Sequence, residues 1–174
     1  RERLSPAEDK AVIAEFGKVL TRAQHKARYD MLMYADRVTQ AAALTPYLPN
    51  GYADLATART AVLRGSADAG RKLDAVPKAA RKDPLYAFTL AEWHRRADRP
   101  DQAAKVILAV DAKATALHGD EWWVERRIVS RDLMEKSNHR LAYKVVANHA
   151  GGGETTLQEA YFHAGWYALR FNFR

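Results

Sequence analysis

Asp83-Pro84-Leu85-Tyr86-Ala87-Phe88-Thr89-Leu90-Ala91-Glu92-Trp93-His94-Arg95-Arg96-Ala97-Asp98-Arg99-Pro100-Asp101-Gln102-Ala103-Ala104-Lys105-Val106-Ile107-Leu108 is the stretch whose reading decides the fold. Asp83-Pro84 is a helix start: an aspartate oxygen can accept from the free amides of the first turn, and proline at the first helical position gives up an N–H that had no partner there. Tyr86, Leu90, Trp93 and Ala97 then fall on one side of a helix. Asp98-Arg99-Pro100 stops that helix and opens another, on which Ala104, Ile107 and Leu108 share a face. Two helices joined so tightly lie antiparallel, so the unit is a helical hairpin.

The same grammar runs outward in both directions. Ser5-Pro6-Ala7-Glu8 has the capping-box spacing, with apolar residues following at Val12, Phe16, Val19 and Ala23. A second stripe at Ala27, Met31, Tyr34, Val38 and Ala41 ends near Thr45-Pro46-Tyr47-Leu48-Pro49, and these two helices are expected to pair as a hairpin. Asn50 is placed to cap a segment carrying Leu55, Ala58 and Val62, which Gly65 stops; a short helix from Ala67 to Val76 ends before Pro77. Downstream, Gly119-Asp120 opens a helix from Glu121 to Lys136, and after Ser137-Asn138 a partner carries Ala142, Val145, Val146 and His149. Beyond Gly151-Gly152-Gly153, Thr155 and Gln158 have capping-box spacing, and Leu157, Tyr161, Ala164, Ala168 and Phe171 form a stripe. No strand alternation or β-hairpin signal interrupts the series.

Laying Ala104 on Ala142 gives an offset of 38 residues, near the roughly 34-residue tetratricopeptide period. The expectation is an all-α chain: an irregular superhelix or solenoid of antiparallel hairpins, tetratricopeptide-like, with residues 1–174 forming one domain or part of one. Its last helix has no following partner to cover it, and an uncapped repeat end tends to self-associate or fray.

Composition narrows the chemistry. At 174 residues and 48% apolar content the chain can bury a core. No run approaches the roughly 18 apolar residues of a membrane span, and the opening Arg1-Glu2-Arg3-Leu4-Ser5-Pro6 is not a signal peptide. Zero cysteines exclude disulfides, thiol catalysis and thiolate zinc sites. The net charge of +7 suits an anionic partner. Its cations are spread along the chain, however, with only short clusters at Arg95-Arg96 and Arg126-Arg127, and no nucleic-acid motif accompanies them. A solvated surface accounts for them, and no nucleic-acid partner is expected.

No cofactor or metal site is expected either. His25, His94, His118, His139, His149 and His163 never form an HExxH pair, and Gly151 to Gly153 is not followed by the Lys-Ser/Thr of a phosphate loop. A glycosidase-like acid would be a glutamate among apolar groups, and Glu92 beside Trp93 and Glu121 beside Trp122 are the two candidates. Glu125 lies one turn after Glu121, but Arg126 and Arg127 follow at once, which favours salt bridges. Trp93, Trp122, Trp123 and Trp166 could stack on sugars but sit in amphipathic patterns that suit core positions. Trp122 and Trp123 point about 100° apart, so one of them is expected to be partly exposed.

Asp120-Glu121-Trp122-Trp123-Val124-Glu125-Arg126-Arg127, then Arg131-Asp132-Leu133 and Ala142-Tyr143, resembles the superhelical domain of soluble lytic murein transglycosylases. A later helix of that family carries Ala-Gly-Trp-x-Ala-Leu-Arg, and here Ala164-Gly165-Trp166-Tyr167-Ala168-Leu169-Arg170 is similar. Arg28-Tyr29-Asp30-Met31-Leu32-Met33 and the segment from Thr45 to Ala61 look like the α-proteobacterial members. The resemblance implies a periplasmic enzyme that cleaves peptidoglycan between muramic acid and glucosamine, leaving anhydromuramoyl ends. It implies peptidoglycan glycan strands as the partner, bound weakly or through the parent enzyme.

The family's catalytic glutamate belongs to a lysozyme-like domain announced by Glu-Ser and Gly-Leu-Met-Gln, and neither motif occurs here. The chain is therefore expected to be a non-catalytic piece of the helical region, with no catalytic residue to assign. Trp122, Trp123, Glu125, Arg126, Arg127, Arg131, Tyr143, Gly165, Trp166 and Arg170 are expected to be structural. Phe171-Asn172-Phe173-Arg174 departs from the family pattern, which continues differently. The alternative reading is a tetratricopeptide-like protein–protein interaction module without enzymatic activity.

Overall fold

The computed structural model describes residues 5–173, and the readings made of residues 1–4 and of Arg174 lie outside the described residues. Among those described are ten α-helices, three short 3-10 segments and no strand. The chain is all-α, as its periodicity requires. The helices fall into two compact units, one up to Arg81 and one from Lys82 onward.

The first unit contains α1 (Pro6–Phe16), α2 (Arg22–Tyr34), α3 (Val38–Ala42), α4 (Tyr52–Leu63) and α5 (Ala69–Ala75). Both bonds of the Ser5–Glu8 capping box form, so α1 begins as expected. It does not continue through Val19 and Ala23: α1 ends at Phe16, Val19 is 78% exposed, and a second capping box at Thr21 and Gln24 starts α2. The apolar spacing that runs across Gly17 is fortuitous, because a cap satisfies amides that continuing the helix would leave no better paired. Consequently α2 packs on α3 and α4 on α5, in place of the hairpin expected between the first two helices.

The inward face of α2 is His25, Tyr29, Leu32, Met33 and the expected Tyr34, while Ala27 and Met31 point outward. Val38 and Ala41 belong to the next helix, because Asp36 takes a left-handed φ of 60° and breaks the chain direction. Leu55, Ala58 and Val62 are buried on α4 as expected, although Gly51, at φ 102°, stands at its N-cap instead of Asn50. Arg59, only 1% exposed, ties the two hairpins together: its Nε donates to the Met33 carbonyl at 2.7 Å and its Nη2 to Asp36 at 2.6 Å.

The second unit contains α6 (Pro84–Arg96), α7 (Pro100–Ala109), α8 (Gly119–Glu135), α9 (His139–Ala147) and α10 (Glu154–Phe171). Asp83 caps α6 by accepting from the Leu85 amide at 2.9 Å. The buried side of α6 is Leu85, Phe88, Thr89, Ala91 and Glu92, not the expected Tyr86, Leu90 and Trp93. A helix held between two neighbours, here α7 and α8, buries a wider face than one stripe describes. For the same reason Trp122 and Trp123 are both buried, at 1% and 2%, where one was expected to show. Val129, Leu133, Ala142, Val145 and Val146 complete the core, and His149 lies past the end of α9.

On α10 the expected stripe of Leu157, Tyr161, Ala164, Ala168 and Phe171 is not the buried face, and none of the five is fully buried. Ala160 and Tyr167 are buried, while Tyr161 is 66% and Trp166 45% exposed, so Trp166 is not the core residue expected. Its N-terminus is capped from α8 and not by Thr155 and Gln158: Asp120 accepts from the Gly153 amide at 2.8 Å and the Thr156 hydroxyl at 2.6 Å. Only glycine permits this docking, since a Cβ on Gly119 would lie 2.3 Å from the Gly151 carbonyl carbon and one on Gly151 would lie 2.2 Å from the Ala116 carbonyl oxygen.

Five helices close alike. Asp36, Gly65, Asp98, Ser137 and Asn172 all take φ between 52° and 64°, at spacings of 29, 33, 39 and 35 residues. The next amide in each case bonds back to the carbonyl five residues before it, a Schellman closure. Setting Asp98 on Ser137 makes the offset 39, which pairs Ala103 with Ala142 where the sequence suggested Ala104. Both Ala103 and Ala104 are fully buried, so composition at that point could not choose between them.

Candidate functional site

Charged residues concentrate along the seam between α6 and α8. Glu92 on α6 and Glu125 on α8 are 5% and 3% exposed, a position carboxylates occupy only when compensated. Arg95 donates from Nε to Glu125 at 2.7 Å, and Arg96 reaches Glu92 at 2.7 Å. Burial would depress the Arg95 guanidinium, but the hydrogen bond it donates to Glu125 and the charges of Glu125, Glu92 and Asp132 outweigh it and hold it above its ordinary value. Both glutamates thus serve as anions in ion pairs. Glu121, the other candidate acid, stands half-exposed 4.0 Å from His118.

One carboxyl here escaped the sequence reading. Asp132 is pushed above the usual carboxylate range by burial, with Arg95 opposing and Glu135 and Asp98 reinforcing the rise. The sequence around it does not mark it, because the leading cause is burial by packed helices, and Glu135 nearby contributes less than burial and Arg95 on α6 do. A raised carboxyl is necessary for general-acid work, but so is a site to seat the bond being protonated, and Asp132 lies among Arg95, Lys136, Glu135 and Asp98.

A second cluster joins α8 to α10. The Trp123 indole and the Arg127 guanidinium both donate to Glu159 Oε2 at 2.8 Å, and His163 meets the Trp123 ring edge-on at 5.5 Å. The Trp123 bond first, and the Arg127 charge after it, hold the Glu159 carboxyl below its ordinary range against the pull of burial. Trp122 points the other way, with its ring edge-on to Phe88 at 5.2 Å. Arg126 is 1% exposed; its Nη1 donates to the Val145 carbonyl at 3.1 Å, and burial lowers its guanidinium to about 10. The expected motif residues therefore separate. Trp122, Trp123, Glu125, Arg126 and Arg127 stand in one region of α8, Tyr143 approaches Phe173 at 5.5 Å, and Arg131, Gly165, Trp166 and Arg170 face solvent.

In the first unit, α3, α4 and α5 enclose an open groove of about 390 Å³ with an alanine floor, Thr45, Thr57 and Thr60 on its walls and Arg64 and Lys72 at its rim. Its lining holds no carboxylate, so it offers cations and hydroxyls but no proton donor of the kind glycoside cleavage needs. No group of three or more metal-ligating side chains occurs among the described residues, and no described helix is long and apolar enough to cross a membrane.

Comparison with known proteins adds no relative: no family model, no curated protein and no solved structure matches the chain.

Proposed function

We propose that this chain is a helical scaffold of a periplasmic peptidoglycan lytic transglycosylase, a tetratricopeptide-like series of hairpins that holds glycan near the enzyme without cutting it. The observation that carries the reading is the order of motifs from Trp122-Trp123-x-Glu125-Arg126 through Ala142-Tyr143 to Ala164-Gly165-Trp166. Its use of charge fits a scaffold: Glu125 is tied to Arg95 and Arg127 to Glu159, so the acids that might protonate a glycosidic oxygen act as bridges between helices. Bond cleavage would fall to a lysozyme-like domain that supplies a glutamate of raised pKa.

Attraction to the wall would come from the net charge of +7, with Arg64 and Lys72 at the groove rim as the first contacts. Incubating the chain with purified sacculi, pelleting them and analysing the supernatant by mass spectrometry tests the reading. Pull-down that weakens as salt screens charges over about 8 to 10 Å, a further loss in an Arg64→Glu/Lys72→Glu variant, and no released anhydromuropeptides are the expected results. Release of such products would overturn the scaffold role. Salt-independent failure to bind would favour the interaction-module alternative.

A further inference from the structure

The groove of the first unit carries its charge at one end. Along α4, Ala53, Thr57, Thr60 and Arg64 follow at steps of four, three and four, so they form one strip, and that strip runs about 16 Å from Ala53 to Arg64. All four line the groove, with Ala56 and Ala61 beside them. The threonine hydroxyls on its walls are already committed: Thr45 donates to the Ala42 carbonyl at 2.8 Å, Thr57 to that of Ala53 at 2.9 Å and Thr60 to that of Ala56 at 2.8 Å. A hydroxyl has one proton, so what these three offer a ligand is oxygen lone pairs. Charged donors stand only at the Arg64 end, where Lys72 joins from α5. Lys72 shares Asp68 with Arg71, at 3.2 and 3.6 Å, whereas Arg64 has no carboxylate partner among the described residues. Cations therefore outnumber the carboxylate at this end.

We infer that the groove binds a short extended peptide with small side chains, its amides along α4 and its free carboxylate between Arg64 and Lys72. Backbone N–H groups supply the donors that the threonine lone pairs accept, and methyl-sized side chains fit a floor made of alanine. A strip of about 16 Å matches roughly five extended residues. The carboxylate sets the direction: lone pairs on the walls repel it, while a guanidinium and an ammonium at the rim take it in charge-assisted hydrogen bonds. Sugar rings suit the groove less well, because no aromatic side chain lines it to carry a ring face. The inference deepens the wall-binding reading, on which it rests for the source of the ligand, and assigns the groove to the peptide part of peptidoglycan in place of its glycan strands.

Titrating the isotopically labelled full chain with tetraalanine, and following the backbone amides by NMR, tests this. Saturable shifts centred on Thr57, Thr60, Arg64 and Lys72 are expected. Tetraalanine carboxamide, which lacks the terminal charge, should bind at least about tenfold more weakly, and Arg64→Gln/Lys72→Gln should weaken the free acid to the same degree. Ala53 is exposed, so Ala53→Phe should fill the groove and abolish the shifts with the melting temperature unchanged. No saturable shift, or equal binding of acid and carboxamide, would overturn the inference. So would chitotetraose shifting these amides in place of tetraalanine, a result that leaves the wall-binding reading standing. Tetraalanine that binds as expected while sacculi fail to retain the chain would instead remove the wall-binding reading and support the peptide site.

Discussion

Asp132 is held above the usual carboxylate range by burial, and that shift fixes the sign of its effect on stability. A carboxyl whose folded pKa is raised costs stability wherever it is ionised, and the cost disappears as pH falls through the raised value toward the ordinary one. Asp132→Asn is therefore expected to raise the melting temperature near pH 7, with the gain vanishing below about pH 4, the ordinary aspartate value; thermal melts at several pH values check this. Glu159 behaves oppositely, since its lowered pKa stabilises the fold above the ordinary value and the contribution is lost in acid. The tryptophans separate by burial. Trp122→Ala should cost roughly 3 to 5 kcal/mol by urea denaturation, because the ring is 1% exposed and meets Phe88. Trp166→Ala should cost far less, with its ring 45% exposed, and a loss equal to that of Trp122 would refute the assignment of their faces.

Glycine and the left-handed closures decide matters at the scale of elements. Gly119 and Gly151 let the α9–α10 connection lie against the start of α8, whereas nothing crowds Gly165. Gly151→Ala is expected to destabilise the chain, since its φ of 72° and its contact with Ala116 both exclude a side chain. Gly165→Ala should instead stabilise the chain by roughly 0.5 to 1 kcal/mol, the helix-propensity difference. Ser137 is a non-glycine residue at a left-handed position, φ 61°. Ser137→Gly should gain up to about 1 kcal/mol by relieving it. Chemical denaturation of the three variants measures these signs directly, and a loss for Ser137→Gly would place the strain elsewhere.

At the scale of the whole molecule, the chain resolves into two compact units, and each carries its own buried residues: Tyr29, Met33, Leu55 and Leu73 in the first, and Leu85, Ile107, Trp122 and Leu133 in the second. A unit with its own core is able to fold by itself. A fragment spanning residues 82–174 is expected to show cooperative thermal unfolding and a helical circular-dichroism spectrum. A non-cooperative melt would mean that its core depends on the preceding residues.

Local chemistry was legible wherever a cap or a stop set an element. Ser5 with Glu8, Asp83-Pro84, Gly65 and Asp98-Arg99-Pro100 each satisfy or end a helix using atoms within a few residues, and the all-α class with most helix ends follows from them. Inward faces were less legible. Tyr86, Leu90 and Trp93 make as good a stripe as Leu85, Phe88 and Glu92, and only the arrival of α7 and α8 on two sides of α6 decided which was buried. The charged seam shows the same limit: Glu125 beside Arg126 and Arg127 suggested salt bridges, but its partner proved to be Arg95, thirty residues away, and the perturbed acid was Asp132. Capping is settled by hydrogen bonds the chain makes with itself nearby. Burial and pKa depend on desolvation by distant elements, and that exists only once the helices have packed.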